Sequence, residues 1–483
     1  MHLRSIAYVM GTLMLVTGVS MLFPALCSVY YGEDDLFAIL LSFGLTTAWG
    51  LPMWWGFRKY QDISTKDAFV IAVLGWMLIS AFSALPFYIY GTTTFTDGFF
   101  EMMSGYTTSG ATILTDIEAV PHGLLFWRSE THLLGGMGFL TLTIIFLPHG
   151  MGGVRIFRAE SSPGQNPVGE RILPRNRNAM ILLWGLYLGL NAIHMVLLWL
   201  GGMSWFDAIC HAFGALSTSG YSTKNLSVGY YNSAWIDWST TLFMFLGGMS
   251  FVLILHLLRG DWRTVVRNTE FQWYVYLTLF FCVGVAWILW AKGTYGPVDA
   301  LRYSAFQINS LLTTTGFTTA DYEQWPHAAQ MVLYAVFFIG GCAGSTTSGI
   351  KIVHYVIIWQ FMIKNIKKIF FSPMSIVSVR LNGQPIDNRL VNWAICYFLV
   401  NIFLILAGGC FVSLTDDLDL TSSMSAVIAT LMNIGPGMGK VGPAQNYAFL
   451  SDTAKWFLSY MMLVGRLEMF SALVVFYPAF WKK

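Results

Sequence analysis

Ten long apolar segments constrain the fold of this sequence more than any other feature. Each has the roughly 20 residues that an α-helix needs to cross the hydrocarbon core of a membrane. They lie at 5–30, 36–57, 67–91, 125–148, 179–202, 235–258, 271–292, 328–362, 391–413 and 456–480. Only 11% of the 483 residues are charged, against about 25% in soluble domains. The sequence therefore predicts an all-α polytopic membrane protein and excludes an ordinary soluble or disordered chain.

The distribution of Lys and Arg predicts the orientation of these segments. When alternate connections are assigned to one side, 20 of the 27 Lys and Arg residues fall together and six fall on the other side. Basic loops stay in the cytoplasm during insertion. Both termini and the long basic loops 155–177 and 364–389 are therefore predicted to be cytoplasmic.

The composition and motifs also exclude several classes of function. The net charge is +2, so no overall field favours nucleic acid. A membrane enzyme would need clustered His, Asp or Glu near one membrane face, and the sequence has no such cluster. It also has no P-loop, so no enzymatic activity is expected.

Four shorter segments, each too short to cross a membrane, lie between the long ones. They are found at 94–108, 205–218, 300–314 and 421–433. A glycine turn follows each: Thr107-Thr108-Ser109-Gly110, Ser217-Thr218-Ser219-Gly220, Thr313-Thr314-Thr315-Gly316 and the divergent Asn433-Ile434-Gly435-Pro436. Short apolar stretches that end in polar turns are typical of re-entrant loops.

The segment after each turn is also repeated. Leu134-Gly135-Gly136-Met137 matches Leu246-Gly247-Gly248-Met249, and Gly340-Gly341 and Gly465-Arg466 occupy the corresponding places. We therefore predict four pseudo-repeated helix–pore loop–helix units around a central pore, behind an extra N-terminal helix pair. The predicted boundaries are 1–62 for the pair and 63–152, 153–262, 263–372 and 373–483 for the units.

The repeated turns indicate a site for a monovalent cation. Glycine allows backbone angles that other residues avoid, so that successive carbonyl groups can point the same way. Four such turns on one axis would form rings of carbonyl oxygens that replace the hydration shell of the ion. The alternative is that Gly, Ser and Thr only permit close helix packing.

These turns resemble the four selectivity loops of the Trk/Ktr/HKT potassium transporter superfamily, and most closely its bacterial TrkH/TrkG branch. Gly340-Gly341-Cys342-Ala343-Gly344-Ser345-Thr346 and Gly465-Arg466-Leu467-Glu468 resemble further motifs of that family. The resemblance implies potassium as the transported ion, without a covalently bound cofactor. It also implies a filter formed by Thr108, Ser109, Gly110, Thr218, Ser219, Gly220, Thr314, Thr315, Gly316, Asn433, Ile434 and Gly435.

The same resemblance implies a gate at 340–350 beneath the filter. Its expected residues are Gly340, Gly341, Gly344, Ser345, Thr346, Thr347, Ser348, Gly349, Lys351 and Arg466. The family commonly continues with three glycines where this chain has Thr347-Ser348-Gly349. A kinked packing helix is the alternative for this stretch. For Arg466, the alternative to an electrostatic barrier in the pore is a structural pair with Glu468.

The resemblance further implies the cellular setting. It implies potassium uptake across the bacterial inner membrane, a homodimer with one pore in each subunit, and a cytoplasmic nucleotide-binding regulatory subunit similar to TrkA. The alternative mechanism is a symporter that couples potassium to protons or sodium by alternating access.

Overall fold

A computed structural model describes residues 1–60, 62–138, 177–370 and 378–482. Its described part is helical apart from one short hairpin of strands β1 (Arg380–Leu381) and β2 (Gln384–Pro385). The helices are α1 (Leu3–Ser20), α2 (Leu22–Tyr31), α3 (Leu36–Phe57), α4 (Thr65–Ser83), α5 (Leu85–Tyr90), α6 (Phe95–Thr107), α7 (His122–Gly136), α8 (Arg177–Leu200), α9 (Trp205–Leu216), α10 (Ala234–Gly248), α11 (Phe251–Leu258), α12 (Trp262–Arg267), α13 (Thr269–Ala291), α14 (Pro297–Leu312), α15 (His327–Val336), α16 (Ile352–Phe370), α17 (Asn388–Asp416), α18 (Leu420–Leu431), α19 (Asp452–Arg466), α20 (Phe470–Leu473) and α21 (Pro478–Trp481).

The predicted N-terminal helix pair is present as α1, α2 and α3. Glycines on facing helices allow α1 and α3 to approach closely. A Cβ on Gly11 would lie 2.8 Å from the Gly50 carbonyl oxygen, and one on Gly50 would lie 3.0 Å from Met14. The approach of these backbones explains the small residues in two otherwise bulky apolar segments.

The four short segments are also helices, namely α6, α9, α14 and α18, with 13, 12, 16 and 12 residues. Twelve residues of helix extend for about 18 Å, well short of the ~30 Å hydrocarbon core. Two of these helices begin with the same cap, because Thr94 and Ser204 accept from the N–H groups of Asp97 and Asp207. The aspartates that recur before the first two turns therefore stabilise helix N-termini.

Six continuous helical segments in the described residues are long and apolar enough to cross a membrane. They are Leu3–Tyr31, Leu36–Phe57, Thr65–Tyr90, Met180–Leu200, Thr269–Ala291 and Asn388–Asp416. Their outer faces expose large apolar side chains, such as Phe280 at 72% and Leu414 at 86%. Surfaces of this kind suit lipid acyl chains, and the chain is a multi-pass membrane protein.

The other four predicted spans are not continuous helices in the described residues. Each is the segment that follows a glycine turn. The helices there end at Gly136, Gly248, Val336 and Arg466. Residues 139–176 lie outside the described residues. They include the end of the predicted span 125–148, the predicted boundary at 152 and almost all of the basic loop 155–177.

The predicted single helix over 235–258 is wrong, because α10 and α11 meet at an angle of 108°. The non-helical stretch around residues 342–344 occupies the break. The N–H of Cys342 donates to the Gly248 carbonyl at 2.9 Å, and the N–H of Phe251 donates to the Gly344 carbonyl at 3.1 Å. Bonds to a distant segment therefore replace helical bonds at the bend. The segments 328–362 and 456–480 are likewise interrupted, at 337–351 and 467–469.

Candidate functional site: a ring of four glycine turns

The four glycine turns share one backbone conformation. The residue two positions before each glycine has a positive φ: 57° at Thr108, 54° at Thr218, 53° at Thr314 and 54° at Asn433. The glycines Gly110, Gly220, Gly316 and Gly435 have φ values of 81°, 76°, 84° and 91°. A threonine rarely adopts this left-handed conformation, so its occurrence at three of the four equivalent positions indicates a constraint imposed by the site.

Hydrogen bonds to the preceding short helix hold each turn. The residue before the glycine donates its N–H to a carbonyl five positions earlier. The bonds are Ser109 to Ser104 at 2.9 Å, Ser219 to Gly214 at 3.0 Å, Thr315 to Ser310 at 2.7 Å and Ile434 to Ala429 at 2.8 Å. The divergent fourth turn therefore keeps the geometry of the other three. Its Asn433 donates from Nδ2 to the Met462 carbonyl at 3.1 Å.

The four turns interlock in a closed cycle. A Cβ on Gly110 would lie closer than 3.0 Å to the Ser219 carbonyl oxygen, and one on Gly220 would clash in the same way with Thr315. The cycle continues from Gly316 to Ile434 and closes from Gly435 to Ser109. Each contacted carbonyl belongs to the residue before the next glycine. The four glycines and the four residues before them therefore meet in one ring, and only glycine fits at its four contact positions.

All four glycines also line one cavity of about 120 Å³. The cavity is lined by the residues that follow the turns, including Thr112, Asn225 and Asn446. We call it the outer cavity. Beyond the third turn, Glu323 accepts a hydrogen bond from the Gly439 N–H. Burial raises the pKa of the Glu323 carboxyl, while this bond acts in the opposite direction.

A buried ion pair supports the first two turns, and the sequence analysis did not predict it. Arg128 Nε donates to Glu101 Oε1 at 2.6 Å, and both side chains are almost fully buried. Glu101 also accepts from the Ile113 N–H at 2.9 Å, while Arg128 donates to the Ser222 carbonyl at 2.9 Å. Arg128 lies 3.4 Å from the centre of the Tyr221 ring. The pair therefore joins the segments that follow the first and second turns.

Residues 340–351 form a non-helical loop in which every residue is buried, and we call it the buried loop. It contacts the second and third turns at the residues two positions before their glycines. Thr218 Oγ1 donates to Thr346 Oγ1 at 3.4 Å, and the Ser348 N–H donates to Thr314 Oγ1 at 3.1 Å. The buried loop therefore lies at the end of the ring opposite the outer cavity.

Arg466 joins the first turn to the buried loop. Its Nη1 donates to Thr108 Oγ1 at 3.2 Å and to the Thr346 carbonyl at 2.9 Å. Its Nη2 donates to the Gly135 and Gly136 carbonyls at 2.6 and 2.9 Å. The structure thus brings Arg466 into contact with the buried loop, and the residue is 3% exposed.

Thr347 and Ser348 of the buried loop each have a specific partner. Lys351 Nζ donates to the Thr347 carbonyl and to Thr347 Oγ1. Ser348 Oγ accepts from Arg466 at 3.4 Å. Gly344 and Gly349 keep positive φ values of 75° and 74°. Hydroxyl contacts therefore fix this stretch of the loop.

The arrangement offers neutral oxygen atoms in a constricted ring between a cavity and a basic side chain. No group of three or more His, Cys, Asp or Glu residues in the described ranges could hold a metal ion. Rings of neutral carbonyl oxygens suit a monovalent cation. Fold and site together define a helical membrane protein of the cation-transport class.

Comparison with known proteins gives the same class. Residues 36–483 match the family described as "TrkH: Cation transport protein", and the chain belongs to that family. It is 34% identical to the Trk system potassium uptake protein TrkH of Salmonella typhimurium and 30% identical to TrkG of Escherichia coli K12, covering 99–100% of each relative. The crystal structure of the potassium transporter TrkH from Vibrio parahaemolyticus superposes with a TM-score of 0.89 at 30% identity, over all of both chains. The chain is therefore a transport protein and not an enzyme.

Proposed function

We propose that this protein takes up potassium across the bacterial inner membrane through a pore whose selectivity filter is the ring of four glycine turns. The observation that carries the proposal is the closed cycle of glycine-to-carbonyl contacts. Because the four backbones approach so closely, their carbonyl groups are the main ligands available to an ion on the axis of the ring. Curated relatives named as potassium uptake proteins support potassium as that ion.

The short helices favour a cation at the same place. Helices α6, α9, α14 and α18 each end immediately before a turn, so their negative C-terminal ends lie beside the ring. Uptake of a cation would be driven by the membrane potential, at about 2.3 kcal/mol per charge per 100 mV. This arrangement favours conduction over alternating access, which needs ionisable groups and broken helices in two symmetric halves.

We further propose that the buried loop is the gate of this pore. It contacts the turns of the second and third units directly and the first unit through Arg466. Individual hydrogen bonds to several elements hold the loop, and it has no regular secondary structure. It can therefore move without the unfolding of a helix. Displacement of the loop would open the end of the ring that it covers.

Uptake of tracer rubidium into liposomes that contain the purified protein tests the proposed function. Strong competition by potassium and weak competition by sodium is the expected result. Equal competition by both ions would contradict a potassium filter. Uptake that persists when proton and sodium gradients are collapsed, with the potential maintained, would argue against the symporter.

The cytoplasmic surface is proposed to bind a nucleotide-binding regulatory subunit similar to TrkA. The described part of the basic loop 364–389 includes exposed Lys367 and Lys368 at the end of α16. The basic loop 155–177 lies almost entirely outside the described residues. Binding of the purified regulatory subunit to the protein in lipid nanodiscs tests this, and no binding with or without nucleotide would contradict it.

The homodimer and the orientation of the chain are proposals as well. Cross-linking in native membranes should trap a species of twice the monomer mass. Reagents that cannot cross the membrane should reach a C-terminal tag from the cytoplasmic side only. A monomer throughout, or a tag accessible from outside, would contradict the respective proposal.

A further inference from the structure

We infer that Glu270 is a positioning residue that holds the buried loop in place, and that the β1–β2 hairpin connects this contact to the cytoplasmic face. The inference rests on the proposed role of the buried loop as the gate. Glu270 lies in the first turn of α13, outside the repeated motifs, and is 5% exposed.

The Glu270 carboxyl group binds the buried loop near its start and the first turn of α16, the helix that follows the loop. Its Oε1 accepts the Ala343 N–H at 2.6 Å and the Val353 N–H at 3.3 Å. Val353 is the second residue of α16, where backbone N–H groups have no acceptor within their own helix. A carboxylate at this position also interacts favourably with the positive end of the helix dipole. One oxygen atom therefore caps α16 and closes the segment between residues 343 and 353.

Glu270 also belongs to a small cluster of ionisable groups. Lys351, which donates to Thr347 within the loop, is influenced by the opposite charges of Glu468 and Glu270 and by the like charge of Arg466. Removal of the Glu270 carboxyl group therefore changes the electrostatic environment of Lys351 and Arg466, the two side chains that hold residues 346–348.

The hairpin connects to the residue next to Glu270. The Thr269 N–H donates to Asn382 Oδ1 at 2.8 Å, and the Asn382 N–H donates back to Thr269 Oγ1 at 3.2 Å. Asn382 and Gly383 form the two-residue turn of the hairpin, both with positive φ. The Arg380 N–H also donates to Gln360 of α16 at 2.9 Å. The hairpin therefore bridges the start of α13 and the helix that follows the loop.

This linkage gives the cytoplasmic face a mechanical connection to the loop. A shift of the exposed hairpin moves Thr269, and Glu270 moves with it because both residues belong to the first turn of α13. The two backbone bonds to residues 343 and 353 are then strained or broken. Such a shift would be produced by a protein that binds the cytoplasmic face.

Cys342 reports on the loop directly, because it precedes Ala343 and is fully buried. Its alkylation by a small thiol reagent, followed by mass spectrometry of the Cys342 peptide, measures opening without relying on ion flux. We expect Cys342 to be labelled roughly tenfold faster in Glu270→Ala than in the wild-type protein, which corresponds to about 1.4 kcal/mol. Glu270→Gln should fall between them, because the amide oxygen still accepts both bonds but without charge assistance.

The hairpin is tested by Asn382→Ala, with Gln384→Ala in the same hairpin as the matched control. Asn382→Ala should raise both the Cys342 labelling rate and basal rubidium uptake, and Gln384→Ala should change neither. In the double variant with Glu270→Ala the effects should not add, since both act on one contact. The preference for potassium over sodium should remain, because the glycine ring is not altered.

Two outcomes would overturn the inference. One is unchanged Cys342 labelling in Glu270→Ala and Asn382→Ala. The other is full additivity of the two effects. Failure of the proposed function is distinguishable, because it would abolish selective rubidium uptake in the unmodified protein and leave the Cys342 labelling pattern intact. If Glu270→Ala does not fold, the Asn382→Ala and Gln384→Ala pair gives the same decision.

Discussion

Arg466 Nη1 donates a hydrogen bond of 2.9 Å to the Thr346 carbonyl, which places the positive charge at the end of α19 against the buried loop. The same guanidinium reaches Thr108 in the first turn. A buried guanidinium acts strongly on nearby charges, because the protein interior screens a charge less than water does. This field lies next to the path proposed for a cation.

Replacement of Arg466 should therefore increase basal conduction. Arg466→Ala removes both the charge and the bonds to the loop, and we expect rubidium uptake to rise roughly tenfold, or about 1.4 kcal/mol. Arg466→Lys keeps the charge without the forked donors, and its uptake should rise less. Arg259→Ala, at an exposed position beyond α11, is the control. Unchanged flux and rectification in Arg466→Ala would contradict the barrier role.

The glycine ring predicts that alanine will be tolerated very differently at a glycine in the ring and at one outside it. Gly220→Ala would place a Cβ against the Thr315 carbonyl at a φ of 76°. The left-handed backbone alone costs roughly 1–2 kcal/mol for an L-residue. We expect the variant to lose most of its rubidium uptake and its preference over sodium. Gly185→Ala in α8, with nothing within 4 Å of the added Cβ, should retain both. Normal selectivity in Gly220→Ala would show that the ring does not select the ion.

Much of this site was predictable because it is encoded locally and four times. The short helices match the predicted segments closely, since each combines limited length with a glycine turn. The glycines after the turns also have a structural reason: a Cβ on Gly135 or Gly465 would collide with the carbonyl of Tyr106 or Leu431, four residues before a filter glycine. Repetition thus revealed both the ring and its packing.

Other features could not be predicted, because they depend on contacts between distant segments. Glu101 and Arg128 belong to different helices, and no spacing in one sequence pairs them. The bend between α10 and α11 follows from bonds to residues 342 and 344, about a hundred positions later along the chain. The Asn382-Gly383 hairpin carries a local turn signal, but its strands have only two residues each.

The buried ion pair predicts a change in both stability and selectivity. Arg128→Met leaves the Glu101 carboxylate buried without its cation, which typically costs about 3–5 kcal/mol. The double variant Glu101→Gln with Arg128→Met should be less destabilised, because no charge is left unpaired. We expect sodium to compete better against rubidium in both variants, since the segments after the first two turns lose their link.

Thermal unfolding in detergent and ion competition in liposomes measure these two effects. Asp34→Asn, at an exposed position before α3, is the control and should change neither quantity. A double variant that is as unstable as Arg128→Met would mean that packing, not charge, determines the cost. Unaltered competition by sodium would show that the pair supports the fold without influencing the filter.

The fourth turn should be the most tolerant of the four. A Cβ on Gly435 would lie 2.6 Å from the Ser109 carbonyl oxygen, whereas the other three filter glycines have closer contacts. Each position also has a second contact at 2.8 Å, from Pro436 Cδ at Gly316 and from the Gly110 carbonyl carbon at Gly435, so that the nearest carbonyl oxygen makes the difference. Both positions share the left-handed backbone, so the difference between them isolates the effect of space. We expect Gly316→Ala to abolish rubidium uptake and Gly435→Ala to retain a measurable fraction with weakened selectivity. Equal loss in both variants, at equal amounts of folded protein, would mean that backbone conformation rather than the carbonyl contact limits the ring.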